Sequence, residues 1–459
     1  MDSSTATCHP LGWNLDEVHP IEGRPPLNRP YLTRFADALR SVLSRRNLEA
    51  RSRKTGHCQR LRDITPQRLI CALVESLGAL RVHTIADILR TFNAQTGLTT
   101  KYKPFHNRLA QPEFPRFVRQ VFVDILRQLS QNVLKASMPY LLGHFKDLVV
   151  QDGSSFAVHD ALAATFGGRF TKVRPAAVEL HTCMSVFHDQ VLDAQLAPDK
   201  DAERDFLPEP RELTGKLLLA DRGYPSLDYF EQVNDAGAFF IMRAKSDMNP
   251  KVVSVRGPGG PMPRFEGYRL QDIVRWLPRR RLDLHVRWVR PGGRSLQLRM
   301  VLIWVAPKKK FTVLVTNVRR SVLTAKQVGE VYRLRWQVEL VFKEWKSFSN
   351  LHEFASANPY LVEGLIWASL CAAALKRSLA HASQRTGRGV EISTQITAMC
   401  GVHILLAVLG SVLHGFRDLE TILERAFRFL WNNAARAHPQ RDRIKGRLRF
   451  GIEYVGVRA

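Results

Sequence analysis

The chain has 459 residues, 45% hydrophobic and 24% charged, a globular composition that excludes a disordered or fibrous protein. Its 68 Lys and Arg against 42 Asp and Glu leave a formal charge of +26, a surplus that points to a polyanionic partner, nucleic acid first. Charge alone leaves open a basic enzyme with a solvated cationic surface. The length suggests two to four domains at ~100–200 residues each.

The six cysteines (Cys8, Cys58, Cys71, Cys183, Cys371 and Cys400) form no C-x-x-C, so neither a zinc ribbon nor a disulfide framework is expected. The first twenty residues lack a basic start followed by an apolar core, so no secretory signal is expected and the compartment is taken as the cytoplasm. Residues 396–416 run without Asp, Glu, Lys or Arg, long enough to span a bilayer. They also carry Gly401, Gly410, Gly415, His403 and His414, and no second span accompanies them. A helix buried in protein is the expectation, with no membrane partner.

Residues 1–60, rich in Pro and Arg, read as an irregular or weakly helical arm. A helix is expected from Thr65-Pro66, with Leu69, Ile70, Leu73, Val74 and Leu77 at helical spacing. Others follow at 84–95, near 104–110 and over 114–134. Residues 1–140 hold 21 Lys and Arg against 11 acids, which suits a helical DNA-binding region, although any helical bundle could share the pattern. Strands are expected at 148–150, 178–186, 191–196, 216–220 and 238–243, with a helix at 225–235 between the last two. Strands followed by helices imply an α/β core.

Residues 246–320 alternate apolar and polar positions between turn sequences, the pattern of an antiparallel meander. From Arg279 to Lys310, ten Lys and Arg face one acid, Asp283, beside Trp288, Trp304 and Phe311. Lys308, Lys309 and Lys310 at its turn are candidate nucleic-acid contacts. Thr324 opens a Thr-x-x-Gln capping box, and a long helix is expected to about residue 348. Hydrophobic helices then fill 358–432, and 436–459 is a basic tail.

Projected at ~100° per residue, Tyr332, Arg335, Glu339 and Lys346 share one narrow stripe of that long helix, with Lys343 beside them and Val338, Val341 and Trp345 opposite. A solvated face with a Glu339–Lys343 ion pair would explain part of this stripe but not its tyrosine. Two aspartates strengthen the case for a site. Asp152 follows a short apolar strand and precedes Gly153; Asp221 ends Leu-Leu-Leu-Ala-Asp and precedes Arg222-Gly223. Carboxylates at strand ends face the crevice where α/β sheets bind ligands, though each alone could be a turn cap. Three such acids can hold divalent cations for displacement at phosphorus.

The spacing Y-x2-R-x3-E-x6-K (Tyr332, Arg335, Glu339, Lys346) resembles, with no gap changed, the signature of bacterial insertion-sequence transposases of the IS-four, hairpin-forming type. DGS at 152–154 and DRGY at 221–224 resemble that family's two other acidic motifs. The resemblance covers about 145–350. It implies an α/β fold: an RNase H-like catalytic core, interrupted by an antiparallel β insertion domain, with helical N- and C-terminal regions. The corresponding boundaries are 1–140 (helical, DNA-binding), 141–245 (core), 246–320 (basic β insertion), 321–375 (core with the catalytic helix) and 376–459 (C-terminal helices and tail).

It further implies that Asp152, Asp221 and Glu339 bind two Mg2+ ions, with Mn2+ able to substitute. Nicking, hairpin formation, reopening and strand transfer would follow. Terminal inverted repeats and target DNA are the implied partners, in a bacterial, nucleoid-associated homodimer. Tyr332, Arg335, Lys343, Lys346 and Arg222 are the implied DNA contacts, and Trp336 is one of several candidates for stacking an unpaired base. Glu203 lies in an acidic loop with Asp199, Asp201 and Asp205; that loop, like His181, His188, His285, His403 and His414, reads as structural. A transposon-derived DNA-binding protein that no longer cuts, or an RNase H-like nuclease without strand transfer, remains open.

Overall fold

A computed structural model of the chain describes residues 27–79, 82, 84–131, 142–188, 190–351, 354–387 and 392–435. These divide between a helical unit (1–134, 344–354 and 360–437) and an α/β unit (135–343, 355–359 and 438–459).

The helical unit opens with α1 (Arg29–Leu43) and α2 (Arg45–Thr55), where an irregular or weakly helical arm was expected. Local signals set both. Asn28 accepts a bond from the Tyr31 N–H, Ser44 ends α1 and caps α2, and Gly56 closes α2 at φ 84°. The exposed Arg34, Arg45 and Arg46 mask an apolar stripe of Leu32, Phe35, Leu39 and Val42. Helix α3 (Pro66–Ala79) buries the five residues read from the sequence. After it come α4 (Ile85–Thr96), α5 (Tyr102–Leu109) and α6 (Glu113–Ile125), the last passing into a π-helical turn over Leu126–Gln131.

The α/β unit contains β1 (Leu148–Ala157), β2 (Ala177–Ser185), β3 (Gln190–Pro198), β4 (Leu217–Ala220), α7 (Leu227–Asp235) and β5 (Phe239–Arg243). Next come β6 (Lys251–Gly257), β7 (Gly260–Pro261), α8 (Leu270–Ile273), β8 (Leu282–Val289), β9 (Ser295–Val305) and β10 (Lys310–Thr316). The ten strands make one sheet in the order 3-2-1-4-5-10-9-8-6-7. Strands β1, β2 and β3 form an antiparallel meander, while β4 lies parallel to β1 and β5 parallel to β4. The basic meander continues this sheet: β10 pairs antiparallel with both β5 and β9. One apolar cluster runs from Val149, Leu218, Phe230 and Phe240 to Leu284 and Met300.

Buried Arg299 on β9 ties the meander to the chain that follows it. Its guanidinium forks onto Asp283 with two bonds of 2.9 Å and donates to the carbonyls of Val318 and Leu323. Beyond this clasp come α9 (Ala325–Tyr332) and α10 (Trp336–Phe348), the latter running from one unit into the other.

The helical unit resumes with α11 (Pro359–Thr386), α12 (Thr394–Cys400), α13 (Val402–Leu413) and α14 (Leu419–Asn433). The uncharged stretch 396–416, expected as one helix, is two, parted at Gly401. No described helix is long and apolar enough to cross a membrane. Buried Lys376 donates to the carbonyls of Gly78, Phe348 and Ala398 at 2.8, 2.7 and 3.2 Å, placing a cation where the C-terminal turns of α3, α10 and α12 concentrate partial negative charge. The arm before residue 27 and the basic tail 436–459 lie outside the described residues.

Candidate active site

Strand register brings the two aspartates together. Strand β1 pairs in parallel with β4 from Leu148↔Leu217 to Gln151↔Ala220, where β4 ends. One residue on come Asp152, still within β1, and Asp221, just past the end of β4. Asp152 therefore does not end its strand, as the sequence suggested. Strand β1 continues to Ala157 beside β2 alone, with Asp152 opposite Thr182. What ends at Gln151 is the parallel pairing.

The third acid comes from a broken helix. Thr324 and Gln327 form the expected capping box at the start of α9. The expected single helix to 348 is interrupted by a 3-10 turn over Arg333–Arg335, immediately before α10. That turn has ~3.0 residues per revolution rather than ~3.6, so it swings Arg335 away from the position a uniform helix would give. Val331, Leu334, Val338 and Val341 are buried on one side. On the other, the Tyr332 hydroxyl donates to Asp221 Oδ1 at 3.0 Å. Arg335 donates from Nη1 to Asp152 Oδ2 and from Nη2 to Glu339 Oε1, both at 2.5 Å. Arg243, at the end of β5, stands 3.8 Å from Asp221. Residues from β1, the loop after β4, β5, α9, the 3-10 turn and α10 thus meet in one polar cluster.

Burial pushes the Asp152 carboxyl up to about 7; Arg335 and the Gly153 N–H oppose that rise, and Asp221 and Glu339 add to it. Burial also works against the charge of Arg335, but Asp152, Tyr332, Asp221 and Glu339 outweigh it, so the guanidinium is held charged. Tyr332 is held neutral by burial and by Asp221. Among the described residues no three His, Cys, Asp or Glu already group as a metal centre; here Arg335 lies between two of the acids. The donor set nevertheless fits a hard divalent cation. It consists of carboxylate oxygens, and their crowding in a desolvated place disfavours charge on Asp152, which a cation would relieve.

Residues 143–375, just over half of the chain, match the family model described as "Transposase DDE domain". The chain belongs to the DDE transposase family. It is 22% identical over 445 residues to the transposase for insertion sequence element IS231F of Bacillus thuringiensis subsp. israelensis, covering 88% of this chain and 92% of that one. It is 41% identical over 241 residues to the putative transposase InsL for IS186A of Escherichia coli K12, over 47% of this chain and 62% of that one. The transposase for IS1151 of Clostridium perfringens is 19% identical over 281 residues, 52% and 57% of the two chains. The protein is therefore a DDE transposase of the insertion-sequence kind.

Other candidate positions of the transposase fall at different places. Arg222 is exposed beside Asp221, and Lys343 is exposed on α10 four residues past Glu339. Lys346 lies seven past Glu339 and is half-buried. Lys308, Lys309 and Lys310 are exposed at the β9–β10 turn, where Lys309 takes the left-handed conformation. Trp336, beginning α10, is 53% exposed. Trp288 lies in the core, and half-buried Trp304 packs edge-on against half-buried Phe311.

Sequence reasoning missed a second polar cluster on the reverse face of β1. Arg169 donates to Glu179 at 3.2 Å and to Glu203 at 3.3 Å, and its Nε donates to the Asp199 carbonyl at 3.2 Å. Its backbone N–H reaches the Asp199 carboxylate, which also meets the Ser155 hydroxyl. His181 stacks on Phe206 at 3.9 Å; burial, with Arg169 adding, takes its pKa down to about 4. The acidic loop after β3 therefore turns inward to this arginine. No spacing rule links 169 with 179, 199 and 203; only the run of acids was visible.

Proposed function

We propose that Asp152, Asp221 and Glu339 are the catalytic acids of this transposase, on an RNase H-like core into which the basic β meander is inserted. The strand order 3-2-1-4-5, antiparallel over the first three and parallel over the last three, supports that core. The observation that carries the assignment is the convergence: Asp152 on β1 and Asp221 just past the end of the parallel strand β4, and a glutamate joined to Asp152 through Arg335.

Two Mg2+ ions bound by these carboxylates, with Mn2+ able to replace them, would supply the Lewis acidity that activates an attacking oxygen and steadies a leaving one. The protein's own groups do the rest. The acids are fixed to the sheet and to α10, so one site meets successive phosphodiesters without rebuilding. Tyr332 and Arg335 hold Asp221, Asp152 and Glu339 in place, and with Lys346, Lys343 and Arg222 they bind terminal phosphates of the DNA end. A hairpinned end forces a sharp bend and favours a base leaving the stack; exposed Trp336 is our candidate platform for it. Lys308, Lys309 and Lys310 add phosphate contacts from the meander.

The products we assign are a nick, a hairpin end, its reopening and joining to target DNA. Two transposon ends need processing, so the working form is a homodimer on DNA, in the bacterial cytoplasm at the nucleoid. The test uses Glu339→Gln and Asp152→Asn with labelled transposon-end DNA and Mg2+. Both variants should bind the end in gel shifts yet leave it uncut. Nicking by either at the wild-type rate would remove the assignment.

A further inference from the structure

Beyond Gln151, strand β1 has β2 on one side and no strand on the other, because β4 has ended. The backbone that carries Asp152 therefore lacks one of the two ladders that fix a central strand. The loop that carries Asp221 lies beside it with no ladder of its own. Side chains on the reverse face occupy this weak point. At Gly153 an added Cβ would collide with the Glu179 carboxylate, and at Gly223 with that of Glu203. Each aspartate is thus followed, next or next but one, by a glycine whose missing side chain leaves room for a glutamate.

One guanidinium holds both glutamates. Arg169 donates to Glu179 on β2 and to Glu203 in the turn after β3, and it is anchored by two bonds to Asp199. The stacked His181 and Phe206 press the same turn against β2. Charge couples the two faces: burial and Glu203 push Glu179 up to about 7, with Asp152 contributing from the other side of the strand.

We propose that Arg169 is a positioning residue. By clamping Glu179 and Glu203 into the spaces left by Gly153 and Gly223, it fixes the backbone on which Asp152 and Asp221 stand, and so their joint hold on a divalent cation. A planar fork holds two carboxylates in a fixed geometry; a lysine ammonium, a point charge on a flexible stem, would hold them less rigidly. The proposal rests on Asp152 and Asp221 being the catalytic, metal-binding pair.

The test measures Mn2+ binding to the full-length protein by electron paramagnetic resonance without DNA, and nicking of transposon-end DNA, in Arg169→Ala, Arg169→Lys, Glu203→Ala and the Arg169→Ala/Glu203→Ala double variant. Arg169→Ala should weaken Mn2+ binding and slow nicking by ~10- to 100-fold, the upper figure being what a misplacement of about 1 Å can cost, with end binding retained. Arg169→Lys should fall between it and wild type. The double variant should be no worse than the poorer single variant, because both remove one clamp.

Gly223→Ala should also impair nicking, and adding Glu203→Ala should bring it back to the level of Glu203→Ala alone. Wild-type Mn2+ affinity and nicking in Arg169→Ala, or losses that add in the double variant, would overturn the clamp. If Arg169→Ala does not fold, Glu203→Ala, which removes one arm, decides by the same two readouts. Asp152→Asn separates the failures. If it still binds Mn2+ and nicks, the site assignment fails; if it loses both while the clamp variants are unaffected, only the clamp fails.

Discussion

Arg335 Nη1 lies 2.5 Å from Asp152 Oδ2, joining residues 183 positions apart, while Nη2 of the same guanidinium reaches Glu339. The arginine thus supplies positive charge between two acids that would otherwise repel. Arg335→Ala should destabilise the cation-free protein, by less than the ~3–5 kcal/mol of a fully buried unpaired charge, because Asp152 can take up a proton instead. Mn2+ should then recover more stability in the variant than it adds to wild type. Thermal melts with and without Mn2+ check this; equal Mn2+-induced shifts in the two proteins would contradict it.

The raised Asp152 carboxyl makes a signed pH prediction. Between about pH 4 and 7 the unfolded chain has released this proton while the folded protein keeps it, so stability falls as pH rises through that window and levels off above it. Asp152→Asn does not titrate there. In urea melts without divalent cations, wild type should lose ~2–4 kcal/mol relative to Asp152→Asn from pH 4 to 7. A gap between the two proteins that stays constant across this range would show that the carboxyl titrates normally.

Arg299 offers a test far from the chemistry. It is 3% exposed, forks onto Asp283 and satisfies the Val318 and Leu323 carbonyls. Arg299→Ala leaves Asp283 without its main partner and two carbonyls without a donor, at ~3–5 kcal/mol. Chemical denaturation should show the loss, and an unchanged midpoint would contradict the clasp.

Lys308, Lys309 and Lys310 are exposed at a turn, so replacing all three with Ala should leave the melting temperature within a degree or two. If each meets a phosphate, the slope of log K against log salt for end binding should fall by ~2–3. A wild-type slope in a folded triple variant would place the DNA elsewhere.

Much of this arrangement was legible because its signals are local. The Thr324–Gln327 box, the Pro66 helix start and the apolar strands expected at 178–186 and 216–220 depend on neighbouring residues, and the structure has each of them within a residue. The misread elements depend on distant partners. Gln151-Asp152-Gly153-Ser154-Ser155 looks like a loop, since its strand character comes from pairing with β2 some thirty residues later. The 3-10 turn at 333–335 is too short for its period to show against 3.6. Arginines at 34, 45 and 46 hid two amphipathic helices that were read as an arm. Asp199 and Glu203 were visible only as part of a structural acidic loop, because the arginine they surround lies some thirty residues earlier.

The basic meander meets the rest of its sheet through a short seam, Leu314↔Arg243, Val315↔Met242 and Thr316↔Ile241. Arg243 sits at the end of that seam, 3.8 Å from Asp221. This seam shares the joint with the Arg299 clasp, the common apolar cluster and the Arg290 ion pairs to Asp228 and Glu231, so a pull on the outer hairpins would load these three pairs in shear as one of several ties. The strand that takes its share of such a load ends beside a carboxylate, so strain on the outer hairpins would be felt next to the acid.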